Sequence, residues 1–560
     1  MSAGRIDAGS GQVLHDWVLR YTSDALLARA AAGAARAEQA GHACAWLVEE
    51  GFEAAQIDAL RASPWVAAEA DGAPFVLDAA GRFYVRRMAA AERAVAAQVR
   101  RLADAPAVPL PAGAALLRQL LPEAASAEQR AALARGLQRR LFVLSGGPGT
   151  GKTTALLALL LVLLHPQGGC AAVAAPRIAL AAPTGKAAVR LLQALQGGLP
   201  ALHRRLDAAW QPALQTVAQL PAGTLHRLLG RRLQGEAWPL AADLLAVDEA
   251  SMVDLGLMRV LLESLRPGAR LVLLGDPDQL ASVEAGSVLA DIIAAAAGTP
   301  LAGCVARLRH SHRAQPGLAR LLEAVREGDA APLHAAGMQS AAPLRLRAVA
   351  EPQALRVALA DWLQRHAGVY AGLLQADLDP AQALAWLRQV QLLCALRTGP
   401  FGQAALNAAI EAWLRRRQAL PSGFWFAGRV AMVTRNDAET GLANGDVGVA
   451  LGAGTALRVW FEPAAAGDAP RGIVPALLPP HEPAWAITIH KAQGSEYDHV
   501  AALLPPAVDS PILSRELVYT ALSRARRSAE LWCGAGVLEA ALARRVRRSG
   551  GLRERLLASQ

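Results

Sequence analysis

Through the middle of the chain, apolar residues come in short continuous blocks, each ending in a glycine-rich or acidic loop. The blocks 141–144 (LFVL), 244–247 (LLAV) and 271–274 (LVLL) do not alternate with polar residues. Unbroken blocks of this length predict strands buried on both faces, as in a parallel sheet. Stretches of helical periodicity separate them from about residue 126 to about 310, so strand and helix alternate, and the expected class is α/β with helices covering a parallel sheet. The longest apolar run, 155–164, is about half of the ~20 residues a membrane span needs. It follows a glycine loop directly, so it predicts a buried helix and no membrane segment.

The flanks read differently. Residues 1–125 are Ala-rich and predict a mostly helical region with one hairpin, 75–77 and 82–85, turning at Ala80-Gly81. A Pro-rich linker covers 105–112, after which Ser126 can cap a helix carrying Gln129. Residues 314–388 read as helical and strands return at 390–396. A β-rich insert then occupies 424–480, with strands at 429–433, 447–451 and 457–461. Asn444-Gly445 forms a tight turn in it, because both residues tolerate positive φ. The parallel pattern resumes at 484–489 and closes at Leu531.

Composition sharpens this picture. At 560 residues the chain holds three or four domains. Its net charge of +10 suits a polyanionic partner and, equally, the Arg-heavy composition that many GC-rich genomes give their proteins. Five cysteines without C-x-x-C spacing argue against a zinc site or disulfide framework and fit a reducing cytoplasm, and the first residues show no export signal. Of 57 basic residues only Lys152, Lys186 and Lys491 are lysine, and Asn407, Asn436 and Asn444 are the only asparagines. A composition that uses arginine wherever it serves leaves lysine where a compact point charge matters. All six positions fall inside motifs.

The strand at 141–144 runs into Ser145-Gly146-Gly147-Pro148-Gly149-Thr150-Gly151-Lys152-Thr153-Thr154, which satisfies G-x-x-x-x-G-K-[ST] between strand and helix. Backbone N–H groups of such a loop cradle ATP phosphates, Lys152 reaches the β- and γ-phosphates, and the Thr153 hydroxyl ligates Mg²⁺. The second strand ends in Asp248-Glu249, which supplies one carboxylate to hold Mg²⁺ and one to polarise the attacking water. The third delivers Gln279, whose amide can donate to a γ-phosphate oxygen and accept from that water. Gln129 is either a ligand of the adenine edge or a solvated helix residue. A cation from a second domain completes such a site. Arg313 and Arg524 are candidates, although either could be an ordinary surface arginine. Loops at other strand ends, with Pro183, Thr184 and Lys186, with Thr224 and His226, and with Thr488, His490 and Lys491, offer hydroxyls, N–H groups and cations suited to the sugar-phosphate chain of a single strand. For His226 and His490 a positioning role is preferred over catalysis.

The order and wording of SGGPGTGKTT, LAAPTGKAAVRL, TLHRLLG, VDEASMVDL, LGDPDQLASVEAGSVL, LLCALRTGPFGQAALN, MVTRND, NGDVG, TIHKAQGSEYDH and RELVYTALSRARR resemble the RecD family, the alpha subunits of exodeoxyribonuclease V (the RecBCD enzyme). The resemblance covers about residues 126–535. It implies a superfamily 1, ATP- and Mg²⁺-dependent 5′-to-3′ helicase acting on single-stranded DNA and double-strand ends beside RecB and RecC, in the cytoplasm and at the nucleoid. It further implies two RecA-like domains, here 126–313 and 314–423 with 481–560, an SH3-like insert at 424–480, and an N-terminal docking domain at 1–125. It singles out Arg313 and Arg524 as the cross-domain cations, and gives Thr184, Thr224, His226, Thr488, His490 and Lys491 single-strand contact or coupling. His312 and Ser523 depart mildly from the family pattern, which commonly has an aromatic residue and a threonine there. With all three lysines committed to these motifs, none is left for a nuclease centre, so cutting is expected from RecB. A stand-alone RecD-like helicase and a non-catalytic P-loop clamp are the competing readings.

Overall fold

The computed structural model describes residues 9–558, apart from 70–71, 107–109, 122–126, 169–175, 237, 311–315, 340–341, 376, 418–419, 422, 438 and 464–467. Ser126, Cys170, His312 and Arg313 thus lie outside the described residues. Two parallel sheets form the frame. The first has six strands in the order Val305–Leu308, Leu141–Gly146, Arg270–Gly275, Leu244–Val247, Ile178–Ala182 and Ala222–Thr224, all parallel. The three continuous apolar blocks of the sequence are neighbours in it, buried along their whole length. The helix Lys152–Leu164 packs beneath them with Ala155 through Leu163 all buried. A helix apolar on every side can be stable only when enclosed, and each such leucine contributes roughly 1.5–3 kcal/mol by leaving water.

The second sheet has five parallel strands in the order Leu344–Ala348, Ala525–Cys533, Tyr497–Leu503, Val390–Cys394 and Ala486–Thr488. Its edge strand, Leu344–Ala348, lies where a wholly helical stretch was expected. It reads LRLRA, with Leu344 buried and Arg345 exposed. That is the alternation of an edge strand with one wet face.

Between strands of the second sheet, an antiparallel sheet orders Arg471–Ile473, Arg458–Phe461, Val447–Leu451, Val430–Val433 and His481–Pro483. Its last strand pairs Val433 with His481, so the insert expected to end at 480 carries its hydrogen-bond ladder on to Pro483. Near the N-terminus the expected hairpin is the centre of a four-stranded sheet, extended by Ala45–Trp46 on one side and Val66–Ala67 on the other. Two-residue strands have no periodicity to read, which is why the sequence pointed to helices there.

The C-terminal segment also departs from expectation. It was assigned to the second parallel sheet, yet the helix Leu552–Leu557 inserts Leu552 and Leu556 into a core shared with Tyr84, Val95 and Val288. Backbone and side-chain bonds hold it there. The Ala43 N–H donates to the Ser549 carbonyl at 2.7 Å, the Gly551 N–H to Glu92 at 2.9 Å, and Arg82 to the Gly550 carbonyl at 3.1 Å. The tail therefore straps the second sheet to the N-terminal region and the first sheet. Among the described residues no helix is long and apolar enough to cross a membrane.

Candidate nucleotide site and strand-facing loops

Parallel sheets gather the loops at the carboxyl ends of their strands, and here those of both sheets face one cleft. Gln129, Pro148 to Thr154, Asp248, Glu249 and Gln279 from the first half line a cavity of about 560 Å³, together with Gly494, Glu496 and Arg524 from the second. Residues separated by almost 400 positions in sequence thus share one cavity.

The glycine loop gets its shape from two left-handed residues, Gly149 at φ +75° and Gly151 at φ +82°. L side chains resist that conformation, so glycine is required where the backbone turns into the helix. The Thr150 hydroxyl donates to the Gly147 carbonyl at 2.9 Å and stiffens the turn. Lys152 Nζ sits inside the concavity, donating to the Gly146 carbonyl at 2.6 Å and the Gly147 carbonyl at 3.1 Å. Gln129 is 4% exposed and its amide donates to the Thr150 carbonyl at 3.1 Å, so of its two readings the solvated one fails. It braces the loop and keeps its amide oxygen for another donor.

Asp248 follows its strand directly and accepts the Glu249 N–H at 2.9 Å. Burial and the adjacent Glu249 push its carboxyl up, to about 6, while Lys152 pulls it back. Glu249 itself has φ +51°, one of two non-glycine residues among those described with positive φ. Such a backbone costs a residue with a side chain of order 1 kcal/mol and persists only where the surroundings enforce it. It turns the Glu249 side chain toward the cleft.

Arg524 is 3% exposed, and backbone and hydroxyl acceptors define its orientation. Nε donates to the Thr520 carbonyl at 3.1 Å, one Nη to the Ser495 carbonyl at 3.2 Å, and the other to Ser523 Oγ at 2.9 Å. Gln279 donates to Asp276 Oδ2 at 3.2 Å, and the same oxygen accepts the Tyr519 hydroxyl at 2.9 Å from the other half. Further ties cross the cleft: the Gln493 amide to the Leu280 carbonyl at 2.8 Å, the Leu280 N–H to Thr520 Oγ1 at 2.9 Å, and Arg190 to the Gly494 carbonyl. Sequence reasoning missed Asp276, Arg326, Gln493, Tyr519 and Thr520. Four of them stand inside motifs already singled out, but Arg326 stands in none.

The strand-facing threonines share a local design. Thr224 and Thr488 each end a parallel strand and Thr184 stands two residues beyond one, and their hydroxyls accept the N–H of Arg227, Lys491 and Ala187 at 3.2, 3.3 and 3.2 Å. A hydroxyl that accepts in this way still has its own hydrogen to donate. Thr184 and Thr224 lie near the insert, since a methyl added at Gly185 would meet Ala443 Cβ at 2.4 Å and Thr224 Cγ2 at 4.0 Å. His226 is exposed and Pro183 half-buried. His490 is held neutral near pH 7, its pKa lowered first by burial and then by Arg548. Lys491 pairs with Glu482 at 2.5 Å. Lys186 does not join this surface. It lines a separate cavity with Arg190, Asp446 and Glu462, where burial and Arg190 bring its pKa down to about 8.

Residues 124–343 match a family described as an AAA domain, and residues 483–531 match the UvrD-like helicase C-terminal domain. The RecBCD enzyme subunit RecD of Mycobacterium tuberculosis is 42% identical over 463 residues, 80% of this chain and 76% of that one. The ATP-dependent RecD2 DNA helicase of Deinococcus radiodurans is 32% identical over 476 residues, 82% of this chain and 56% of that one. A solved structure of Bacteroides Pif1 bound to single-stranded DNA covers 72% of this chain and 91% of its own at 16% identity, with a TM-score of 0.37, a likeness too remote to bear on any residue.

Proposed function

The chain belongs to the RecD family and is an ATP-dependent DNA helicase, and on that premise we propose that it moves 5′ to 3′ on single-stranded DNA as the RecD-type motor of a RecB–RecC–RecD assembly at double-strand ends. The observation that carries this reading is the shared cleft, where Lys152, Asp248, Glu249 and Gln279 of one half meet Arg524 of the other. A site built from both halves ties each nucleotide turnover to their relative movement, which is what a translocating motor needs.

In this reading, Lys152 and the N–H groups of the glycine loop hold the phosphates, Glu249 orients the attacking water, Gln279 reads the γ-phosphate, and Arg524 and Arg313 supply the cross-domain charge. Mg²⁺ fits the donors present. Asp248 is a carboxylate whose charge is disfavoured by burial and by Glu249, so a cation relieves it, and Thr153 offers a hydroxyl in the first helical turn. No group of three His, Cys, Asp or Glu that could hold a metal occurs among the described residues. The ion would therefore rest on Thr153, Asp248 and nucleotide oxygens, the sparse protein coordination usual for Mg²⁺. Thr184, Thr224 and Thr488, with Pro183, His226, His490 and Lys491 beside them, would contact the strand.

The proposed domain division has RecA-like units at 126–313 and at 314–423 with 484–548, the SH3-like insert within the second of them, and the N-terminal region, to which the C-terminal tail is strapped, as the docking element. Supporting the last, the helix Gly9–Thr22 exposes Val13, Trp17 and Tyr21, the two rings 4.9 Å apart. Large exposed aromatics of this kind are enriched at interfaces. The setting is a bacterial cytoplasm.

Strand separation on duplexes with a single 5′ or a single 3′ tail tests polarity, first with the chain alone and then with RecB and RecC from the same host. Unwinding of the 5′-tailed duplex, strengthened by the two partners, is expected. Preference for the 3′ tail contradicts the polarity, and full processive activity without any association with RecB and RecC favours the stand-alone helicase.

A further inference from the structure

An arginine outside every motif approaches the glycine loop from the second half. Arg326 is in the last turn of the helix Pro316–Glu327, which packs on the helix Arg515–Leu522. Its guanidinium lies 4.9 Å over the Tyr519 ring and donates to the Tyr519 hydroxyl at 2.6 Å. The opposite Nη donates to Glu323 at 2.8 Å. Nε is 3.1 Å from Asp278, close enough to pair electrostatically, yet it makes no aligned hydrogen bond and is left as a buried donor without an acceptor.

This cluster presses on the phosphate loop. A methyl group added at Gly147 would come within 2.5 Å of Arg326 Nη and 2.8 Å of the Tyr519 hydroxyl. Gly147 has an ordinary backbone, so its lack of a side chain serves the close approach of these two groups. Asp276 is 1% exposed and Asp278 partly so; Asp278 lies against Arg326 Nε, and Asp276 accepts from the Tyr519 hydroxyl that Arg326 holds, so both carboxylates flank the guanidinium. Without an interposed cation, two carboxylates that close to a triphosphate would repel it. A guanidinium at the edge of a phosphate-binding loop, whose Gly147-facing Nη carries a second N–H besides the one given to Tyr519, has both the charge and the hydrogen for a phosphate oxygen.

We infer that Arg326 is a further nucleotide-contacting arginine of the ATP site, supplied by the second half at the Gly147 end of the loop, and that Tyr519 and Asp276 relay its position to Gln279. This rests on the ATPase reading given above. The relay is continuous, because Arg326 donates to Tyr519, Tyr519 donates to Asp276, and Asp276 accepts from Gln279. A guanidinium drawn toward phosphate gives up part of its hold on Tyr519, and the Asp276 oxygen shared by Tyr519 and Gln279 passes the change on. A residue that only ties the halves together would alter stability without telling ATP from ADP.

The test uses the full chain and compares wild type, Arg326→Gln and Tyr519→Phe. Steady-state hydrolysis with single-stranded DNA is measured alongside competition of ATP and of ADP against a fluorescent ADP. For Arg326→Gln, kcat is expected to fall on the order of 100-fold, as when one preorganised donor is removed from a developing charge. Its preference for ATP over ADP should fall about tenfold relative to wild type, while ADP affinity stays within about twofold. Tyr519→Phe, which keeps the ring and loses the relay, should lower kcat by about five- to tenfold and leave the nucleotide preference intact. An Arg326→Gln protein with wild-type kcat and wild-type ATP preference overturns the inference, even if it melts earlier. Should that variant be insoluble, Arg326→Lys keeps the charge and stem but loses the fork; a kcat reduced about tenfold or more together with a weakened preference for ATP over ADP supports the inference, and an unchanged preference overturns it. Wild-type chain without DNA-stimulated hydrolysis fails at an earlier point, because it removes the ATPase reading itself.

Discussion

The two parallel sheets present their loops to the same cleft but contribute different materials. The first half offers a backbone cradle, the N–H groups and carbonyls of a glycine loop, with short carboxylates beside it: a half-buried Asp248, and Glu249 in a left-handed conformation. The second half offers long side chains on a helix and in the turn after it, with Tyr519 reaching Asp276 and Arg524 buried in a frame of acceptors. Backbone cradles are rigid and recognise phosphate wherever the loop folds, whereas a side chain from another body is in place only when the two halves are close. On the proposed function, the first half holds the nucleotide in the main, and turnover requires both halves.

The sharpest break in that comparison is Glu249→Gln. If Glu249 polarises the attacking water, the substitution keeps the fold and the nucleotide but removes the base, and kcat with single-stranded DNA should fall on the order of 10³-fold. Affinity for ATP, read by equilibrium titration with a fluorescent analogue, should stay within about threefold. Loss of both together would move Glu249 from chemistry to binding.

A smaller effect is expected from pH. Burial and Glu249 raise the Asp248 carboxyl to about 6, so the charged form that a cation needs is lost as pH falls through that region. The kcat/KM profile, which reports the free enzyme, should therefore bend downward near pH 6 and drop about tenfold per further unit. The kcat profile should bend at lower pH, since a bound cation restores the carboxylate. Stability runs the other way. A carboxyl with a raised folded-state pKa favours the fold when protonated, and that contribution is lost as pH rises through about 6. Asp248→Asn should accordingly melt higher than wild type above pH 6 while hydrolysing no ATP.

Much of this was legible in the sequence, and the reasons are physical. The continuous blocks at Leu141, Leu244 and Leu271 could only be doubly buried strands, and each ended in its polar motif. The insert announced itself through Asn444-Gly445, where Gly445 has φ +93°. What the sequence hid was anything made by distance. The strap from Arg548 to the carbonyls of Gly41, Ser282 and Glu284 joins segments with no local pattern in common. The Leu344–Ala348 strand carried a readable alternation, yet it was too short to stand out among helices. Arg326 is one arginine among dozens, and only its approach to Gly147 distinguishes it. Lys186 was grouped with the strand-facing loops by its motif, while its side chain turns to Asp446 and Glu462.

The account stands or falls on whether the second half completes the first half's ATP site. Hydrolysis by Arg524→Ala in saturating single-stranded DNA, with ATP affinity measured on the same protein, tests this directly. The predicted result is a kcat lowered at least about 100-fold with ATP affinity within a few-fold of wild type. Near-wild-type turnover would contradict it, because the cleft would then hydrolyse ATP without its partner sheet.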